Sequence, residues 1–222
     1  MLQPATLLFL QQLRRNNNKA WFDAHRSAYE QARGNVLALV DSFIKQQAKR
    51  DGSIAHLSAN ECLFRINRDV RFSKNKDPYK TNFGAYICRG GKKSGLAGYY
   101  IHVEPGASFI GGGVWMPQPE ALKKIRQEID YNWEEFRDLL HQPTYRKAFG
   151  DLYTGENQKL SRVPRPYRAD HPAADYLKLK SFVALRDVTD AELTAPSFPK
   201  LLQSTMAALE PLLHFLNAPL ME

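Results

Sequence analysis

Residues 62–72 read Cys62-Leu63-Phe64-Arg65-Ile66-Asn67-Arg68-Asp69-Val70-Arg71-Phe72. Cys62, Phe64, Ile66, Val70 and Phe72 alternate with Leu63, Arg65, Asn67, Asp69 and Arg71, the two-residue period of a strand with one apolar and one polar face. Upstream the period is helical. From Asn18 onward Trp21, His25, Tyr29, Ala32, Val36, Leu39, Val40, Phe43 and Ile44 recur at the spacing of one long helix, which Gly34 is expected to loosen locally. Before it, Thr6 is placed to cap a short helix carrying Leu7, Leu10 and Leu13, which should stop at Asn16-Asn17-Asn18, where side-chain amides compete for backbone hydrogen bonds. The change of period after Asp51-Gly52 therefore predicts a helical hairpin over 1–50 that gives way to a sheet.

Working outward, further strands are expected at Phe83–Arg89, Tyr99–Glu104 and Ala107–Trp115, separated by the Gly90–Gly98 segment and by Pro105-Gly106. Pro119 suits the first turn of a helix over Glu120–Ile129, and Asn132 is a candidate cap for another through Leu140. The prolines and isolated aromatics of Pro143–Pro172 predict a long surface excursion, after which Phe182–Leu185 returns one more strand. Thr189 and Glu192 match a capping box, and Phe198–Leu216 predicts a final amphipathic helix that Pro211 should kink. The fold class is α+β: an antiparallel β-sheet meander over 60–116, flanked by an N-terminal helical hairpin and C-terminal helices, with helices and a wrapping segment over 117–222. With 222 residues, 43% of them hydrophobic, and no linker, one domain over 1–222 is expected.

Charge is concentrated. Between Arg65 and Lys93 lie nine Lys/Arg against two acids, in a chain whose net charge is +8. A local basic device of this kind favours anionic partners: phosphorylated metabolites, nucleotides, nucleic acid or an anionic surface. No apolar run approaches the roughly 20 residues that span a bilayer, and Met1–Leu13 has neither a basic leader nor a cleavage site, so no membrane partner is expected. Cys62 and Cys88 are too few for a disulfide framework or a thiolate zinc site and are expected as small core residues in a reducing cytoplasm.

The basic segment continues from Phe72 through Ser73-Lys74-Asn75-Lys76-Asp77-Pro78-Tyr79-Lys80. Alternation would set Arg65, Asn67, Asp69 and Arg71 on one strand face, two guanidinium forks flanking a carboxylate and an amide. Planar donors bind phosphate at two points and ammonium groups add charge, which Lys74, Lys76 and Lys80 would supply from the following turn, with Tyr79 lining the site. The structural alternative is that Asp69 neutralises Arg65 or Arg71 while the lysines solvate a turn. Arg68 falls on the apolar face and needs a partner, either a carboxylate such as Glu61 or Glu104 or the anion of a ligand.

This stretch follows F-R-I-x-R-D-x-R-F-S-K-x-K-x-P-Y-K. Together with Asn16-Asn17-Asn18-Lys19-Ala20-Trp21-Phe22 and Gly111-Gly112-Gly113-Val114-Trp115-Met116-Pro117, it resembles the bacterial and fungal domain of unknown function 2461 over nearly the whole chain. The resemblance implies a single-domain soluble protein and carries over no catalytic residues.

Other features are weaker. Gly111-Gly112-Gly113 lacks the spacing of a P-loop and is as well explained by close sheet packing, and Trp115 reads better as a buried aromatic than as a base-stacking one. His102 and Glu104 share a strand face with Tyr100, an arrangement suited to acid/base chemistry or to two metal ligands. Two ligands are too few, and the other histidines are scattered, so no metal and no cofactor is expected. His25 reads as a hydrogen-bonded core histidine. Arg162, Arg165 and Arg168 with Tyr167 form a second basic cluster, either a clamp over the first or a solvated loop. The reading is an anion-binding domain for a phosphorylated ligand. The alternatives are an enzyme on a phosphorylated or carboxylated small molecule, with Asp69 or His102 as base, and a nucleic-acid module, which requires an open basic surface with exposed aromatics.

Overall fold

A computed structural model describes residues 1–221. Helices α1 (Pro4–Arg15), α2 (Lys19–Ala24), α3 (Arg26–Gln47) and α4 (Ala59–Cys62) precede strands β1 (Phe83–Ile87), β2 (Gly98–Val103) and β3 (Ser108–Val114). Then follow α5 (Pro119–Tyr131), α6 (Trp133–His141), α7 (Pro143–Phe149), α8 (Ala174–Leu177), β4 (Phe182–Val188), α9 (Asp190–Thr194) and α10 (Phe198–Asn217). The four strands form one antiparallel sheet in the order β1-β2-β3-β4, so the class is α+β.

The described residues fall into two compact units. One comprises Met1–Ile87, Tyr100–Ile110 and Asp187–Ser204; the other comprises Cys88–Tyr99, Gly111–Arg186 and the residues from Thr205 on. In the first, α1 packs on α3 and α3 on β1, burying Leu7, Leu10 and Leu13 against Val36, Val40 and Phe43. Phe83, Ala85, Ile87, Ile101 and Val103 close this core from the sheet. In the second unit the apolar sides of α5 (Ile125, Ile129), α6 (Phe136, Leu140) and α10 (Leu209, Leu212, Leu213) are buried.

Several local expectations need correction. Thr6 lies inside α1, buried, with its hydroxyl donating to Asn35 Oδ1 at 2.9 Å, and Gln3 occupies the cap position. The long helix after Asn18 is broken at His25, whose backbone leaves the helical region (φ −111°, ψ 21°) and separates α2 from α3. His25 is half-buried rather than a core residue; its ring stacks on Trp21 at 4.0 Å, and its Nδ1 meets the Trp21 carbonyl oxygen at 2.8 Å. Gly34 leaves α3 unbroken.

The largest correction concerns residues 62–72, which form no regular strand. Their pairing is reduced to isolated antiparallel bridges, Leu63 with Ala85 and Asn67 with Tyr79. The alternation fails because Ser58-Ala59-Asn60-Glu61 is a capping box that turns α4 up to Cys62: Glu61 Oε2 accepts from Ser58 N at 3.1 Å while the Ser58 hydroxyl accepts from Glu61 N. Leu63 is then buried and Phe64 exposed, the reverse of the expected alternation at both positions. The S-x-x-E signal was present in the sequence and marks a helix start.

Gly111-Gly112-Gly113 is explained by packing. A Cβ at each would lie 2.0–2.1 Å from a carbonyl oxygen, those of Ala184, Gly98 and Phe182 respectively. Trp115 is 57% exposed, not buried, and lies 6.3 Å from the Tyr153 ring.

Candidate functional site

The segment Arg65–Lys80 belongs to the first unit and is a braced loop. At its base Arg68 N donates to Pro78 O at 2.9 Å and Lys80 N to Ile66 O at 2.8 Å, a short antiparallel pairing that closes residues 69–77 into a loop. A second device fixes the base to the helical hairpin. Asn17 Oδ1 accepts from Tyr79 N at 3.1 Å, and Asn17 Nδ2 donates to Tyr79 O at 2.9 Å, so one amide side chain reads both backbone groups of one residue. The Tyr79 ring is buried and stacks on Phe22 at 4.0 Å. Tyr79 therefore anchors the loop from beneath and does not line its surface.

The three asparagines preceding α2 divide the work. The Asn16 backbone N–H caps α1, Asn17 holds Tyr79, and the Asn18 side chain accepts from Trp21 N at 2.9 Å as the cap of α2.

Within the loop, cations brace the backbone. Arg68 donates to Asp77 O at 3.1 Å and to Ser73 Oγ at 3.3 Å, so its partners are a carbonyl and a hydroxyl, neither Glu61 nor Glu104. Lys76 Nζ donates to Val70 O at 3.0 Å. Carbonyl oxygens stabilise these groups without cancelling their charge. Asp69 and Arg71 form the one two-point ion pair of the loop among the described residues, with Arg71 Nε to Oδ1 at 3.0 Å and Nη2 to Oδ2 at 2.7 Å. The hydrogen bonds from the Arg71 side chain and then from its backbone N–H hold Asp69 below the ordinary carboxylate range, and the nearby Arg65 charge adds to this. Asp69 is thereby occupied as an acceptor, which weakens it as a base.

Arg65 and Lys74 are exposed and make no hydrogen bond or ion pair among the described residues. Two aromatics of the same stretch of chain are exposed. Phe72 is 96% exposed with the Arg71 guanidinium 5.8 Å from its ring, and Phe64 is 39% exposed with Lys80 Nζ at 5.4 Å. Phe64, Arg65, Arg71, Phe72, Lys74 and Lys76 are each exposed.

A second cluster adjoins the base of the loop. On β2, His102 Nδ1 lies 3.2 Å from the Tyr100 hydroxyl, and His102 Nε2 lies 3.2 Å from Glu104 Oε2. Glu104 Oε1 accepts from Arg14 Nη2 at 2.9 Å and from Thr81 Oγ1 at 3.0 Å. The His102 ring is stacked on Phe109 at 4.5 Å with 9° between the planes. Burial first, and then the Glu104 charge, pushes the Tyr100 phenol above its ordinary pKa. Sequence periodicity placed Tyr100, His102 and Glu104 on one face. It carried no sign of Arg14 or Thr81, which reach Glu104 from α1 and from the end of the loop.

In the second unit, Arg168 is held at two points by Asp170 (2.9 and 2.7 Å), which lowers the Asp170 pKa. Among the described residues no three His, Cys, Asp or Glu side chains come together as a metal-ligand set, and no helix is long and apolar enough to cross a membrane.

No curated protein and no solved structure matches this chain significantly. The model of one family, described as "Conserved hypothetical protein (DUF2461)", matches residues 5–215. That span takes in the helical hairpin, the braced loop, the Tyr100–His102–Glu104 cluster on β2 and most of α10, so the chain belongs to this family of conserved hypothetical proteins.

Proposed function

We propose that the chain binds a phosphate-bearing polyanion, single-stranded nucleic acid, across the open surface of the Arg65–Lys80 loop. The observation that carries this reading is Phe72: a large aromatic ring left 96% exposed in a loop whose Arg65 and Lys74 have no acidic partner among the described residues. Burying so large an apolar side chain is favourable by roughly 1.5–3 kcal/mol, a gain open to a partner that covers the ring. A base can stack on the ring while phosphates lie on Arg65 and Lys74, which is the economy of single-strand binders: sequence-tolerant stacking plus backbone charge.

A small phosphorylated ligand requires the cations to converge in a concave site that excludes water. The loop favours an extended ligand instead, because Arg68 and Lys76 point inward to backbone carbonyls while Arg65 and Lys74 stand outward.

The test is fluorescence anisotropy with a short labelled oligothymidylate. Stacking is worth about 1–3 kcal/mol per base, so Phe72→Ala should weaken binding roughly fivefold or more, and Arg65→Ala with Lys74→Ala should weaken it further. Unchanged affinity in both variants would refute the reading, and tight saturable binding of inorganic pyrophosphate in place of the oligonucleotide would replace it with a small-ligand site.

A further inference from the structure

We propose that Tyr100, His102 and Glu104 form a proton relay whose outer group, the Tyr100 hydroxyl, acts as a general acid on a phosphate ester lying on the basic loop. This rests on the polyanion reading above for its substrate class, and adds a reaction to it.

The hydrogen-bond order fixes the direction of the relay. Glu104 has one oxygen occupied by Arg14 and Thr81, and its other oxygen faces His102 Nε2. A carboxylate only accepts, so Nε2 carries a proton, and in the neutral imidazole Nδ1 is then the acceptor that faces the Tyr100 hydroxyl at 3.2 Å. When the imidazole gains a second proton, Nδ1–H donates to the tyrosine oxygen, and the tyrosine O–H turns outward. Carboxylate, imidazole and hydroxyl thus stand in the order of a hydrolytic triad, with a phenol at the outer end. Stacking on Phe109 and the Glu104 contact hold the imidazole plane in register for both steps.

The position of the hydroxyl links the relay to the loop. Leu63 pairs with Ala85, so the next residues outward, Phe64 and Gly84, stand opposite each other and Phe64 N donates to Gly84 O at 2.9 Å. A Cβ on Gly84 would lie 2.6 Å from the Tyr100 hydroxyl, so the phenol tip occupies the space a side chain would fill, on the face that Phe64 shares. Phe64 in turn carries Lys80 Nζ 5.4 Å from its ring, and Thr81 is bonded to Glu104. The far end of the basic segment is therefore tied to the cluster through Thr81, and its near end, at Phe64, pairs with the Gly84 over which the phenol lies.

The reaction is ester hydrolysis with water as the nucleophile. Water attacks phosphorus, the bond from phosphorus to the ester oxygen breaks with its electron pair going to that oxygen, and the oxygen takes the Tyr100 proton. His102 Nδ1–H then returns a proton to Tyr100. The proton released by the attacking water goes to solvent, from which His102 is recharged, while Glu104 stays ionised throughout. The groups facing His102 are Tyr100 and Glu104 on its own strand and Phe109 on β3, with Arg14 of α1 and Thr81 acting through Glu104.

The experiment compares cleavage of a single-stranded oligonucleotide, whose leaving group is a poor alkoxide, with bis(p-nitrophenyl) phosphate, whose leaving group needs no proton. Tyr100→Phe and His102→Gln should each slow oligonucleotide cleavage about 10²-fold or more while leaving the activated ester within a few-fold of wild type. Tyr100→Phe should also remove the high-pH fall in the oligonucleotide rate, a change that loss of structure does not produce. Equal losses on both substrates would overturn the proposal and assign the cluster to structure. Wild-type protein that binds the oligonucleotide but cleaves neither substrate would overturn it while leaving the binding surface standing. Failure to bind at all would remove both.

Discussion

The hydroxyl of Tyr145 is buried with no hydrogen-bond partner among the described residues, and burial, then the charge of Asp151, pushes its pKa upward. Tyr176 is pushed up to about 12, first by burial and then by the same carboxylate, which its hydroxyl meets at 3.1 and 3.2 Å. Both phenols hold their protons more tightly folded than unfolded. Their contribution is therefore fully present below the unfolded phenol value of about 10 and is lost as pH rises from there through the folded values. Denaturant midpoints between pH 9 and 11.5 should fall with pH, and less steeply in Tyr145→Phe. At pH 7 that variant should be as stable as wild type or up to about 1 kcal/mol more stable, because it removes an unpaired buried donor; a loss of more than that would show that the hydroxyl has a partner. Glycines give opposite signs for one substitution. Gly112→Ala places a Cβ 2.1 Å from Gly98 O and should cost at least about 1–3 kcal/mol, whereas the Gly34 position in α3 is open and Gly34→Ala should gain about 0.5–1 kcal/mol. Urea midpoints of the two variants check both signs.

At the scale of the element, the loop depends on Asn17. Asn17→Ala removes both bonds to Tyr79, and amide exchange at Arg68 and Lys80 should quicken by about tenfold or more while the α1 and α3 amides stay protected. Unchanged exchange in the loop would show that the backbone pairing alone holds it. Arg71→Ala should leave stability unmoved, since the pair with Asp69 is exposed, yet weaken oligonucleotide binding, because the Asp69 carboxylate loses its neutralising partner. The elements differed in how far the sequence revealed them. Strands β1 to β4 and helices α5, α6 and α10 were legible within a few residues because a buried face imposes its period. The Thr189–Glu192 box was legible because both of its bonds are local. The strand over 62–72 was misread because alternation alone cannot tell a ladder from a loop tied at two isolated bridges. The cations were legible as a group. Their division was not, because carbonyl partners such as Asp77 O and Val70 O leave no mark in side-chain identity.

For the whole molecule, β2, β3, β4 and α10 each contribute residues to both compact units. We propose that the chain nonetheless behaves as one domain, and expect circular dichroism and tryptophan fluorescence to report a single coincident unfolding transition; two separated transitions would contradict this. The electrostatic account is equally global: a net charge of +8, gathered mainly into one stretch, should act on a polyanion through counterion release. Among the described residues, Arg65, Arg68, Lys74 and Lys76 form no ion pair with an acidic side chain. The most direct measurement is therefore oligothymidylate affinity as a function of salt. With Arg65 and Lys74 facing phosphates, log K should fall against log salt with a slope of about −1.4, and Arg65→Ala with Lys74→Ala should bring that slope close to zero. A slope near zero, or one the double variant leaves unchanged, would contradict binding of a polyanion by this loop.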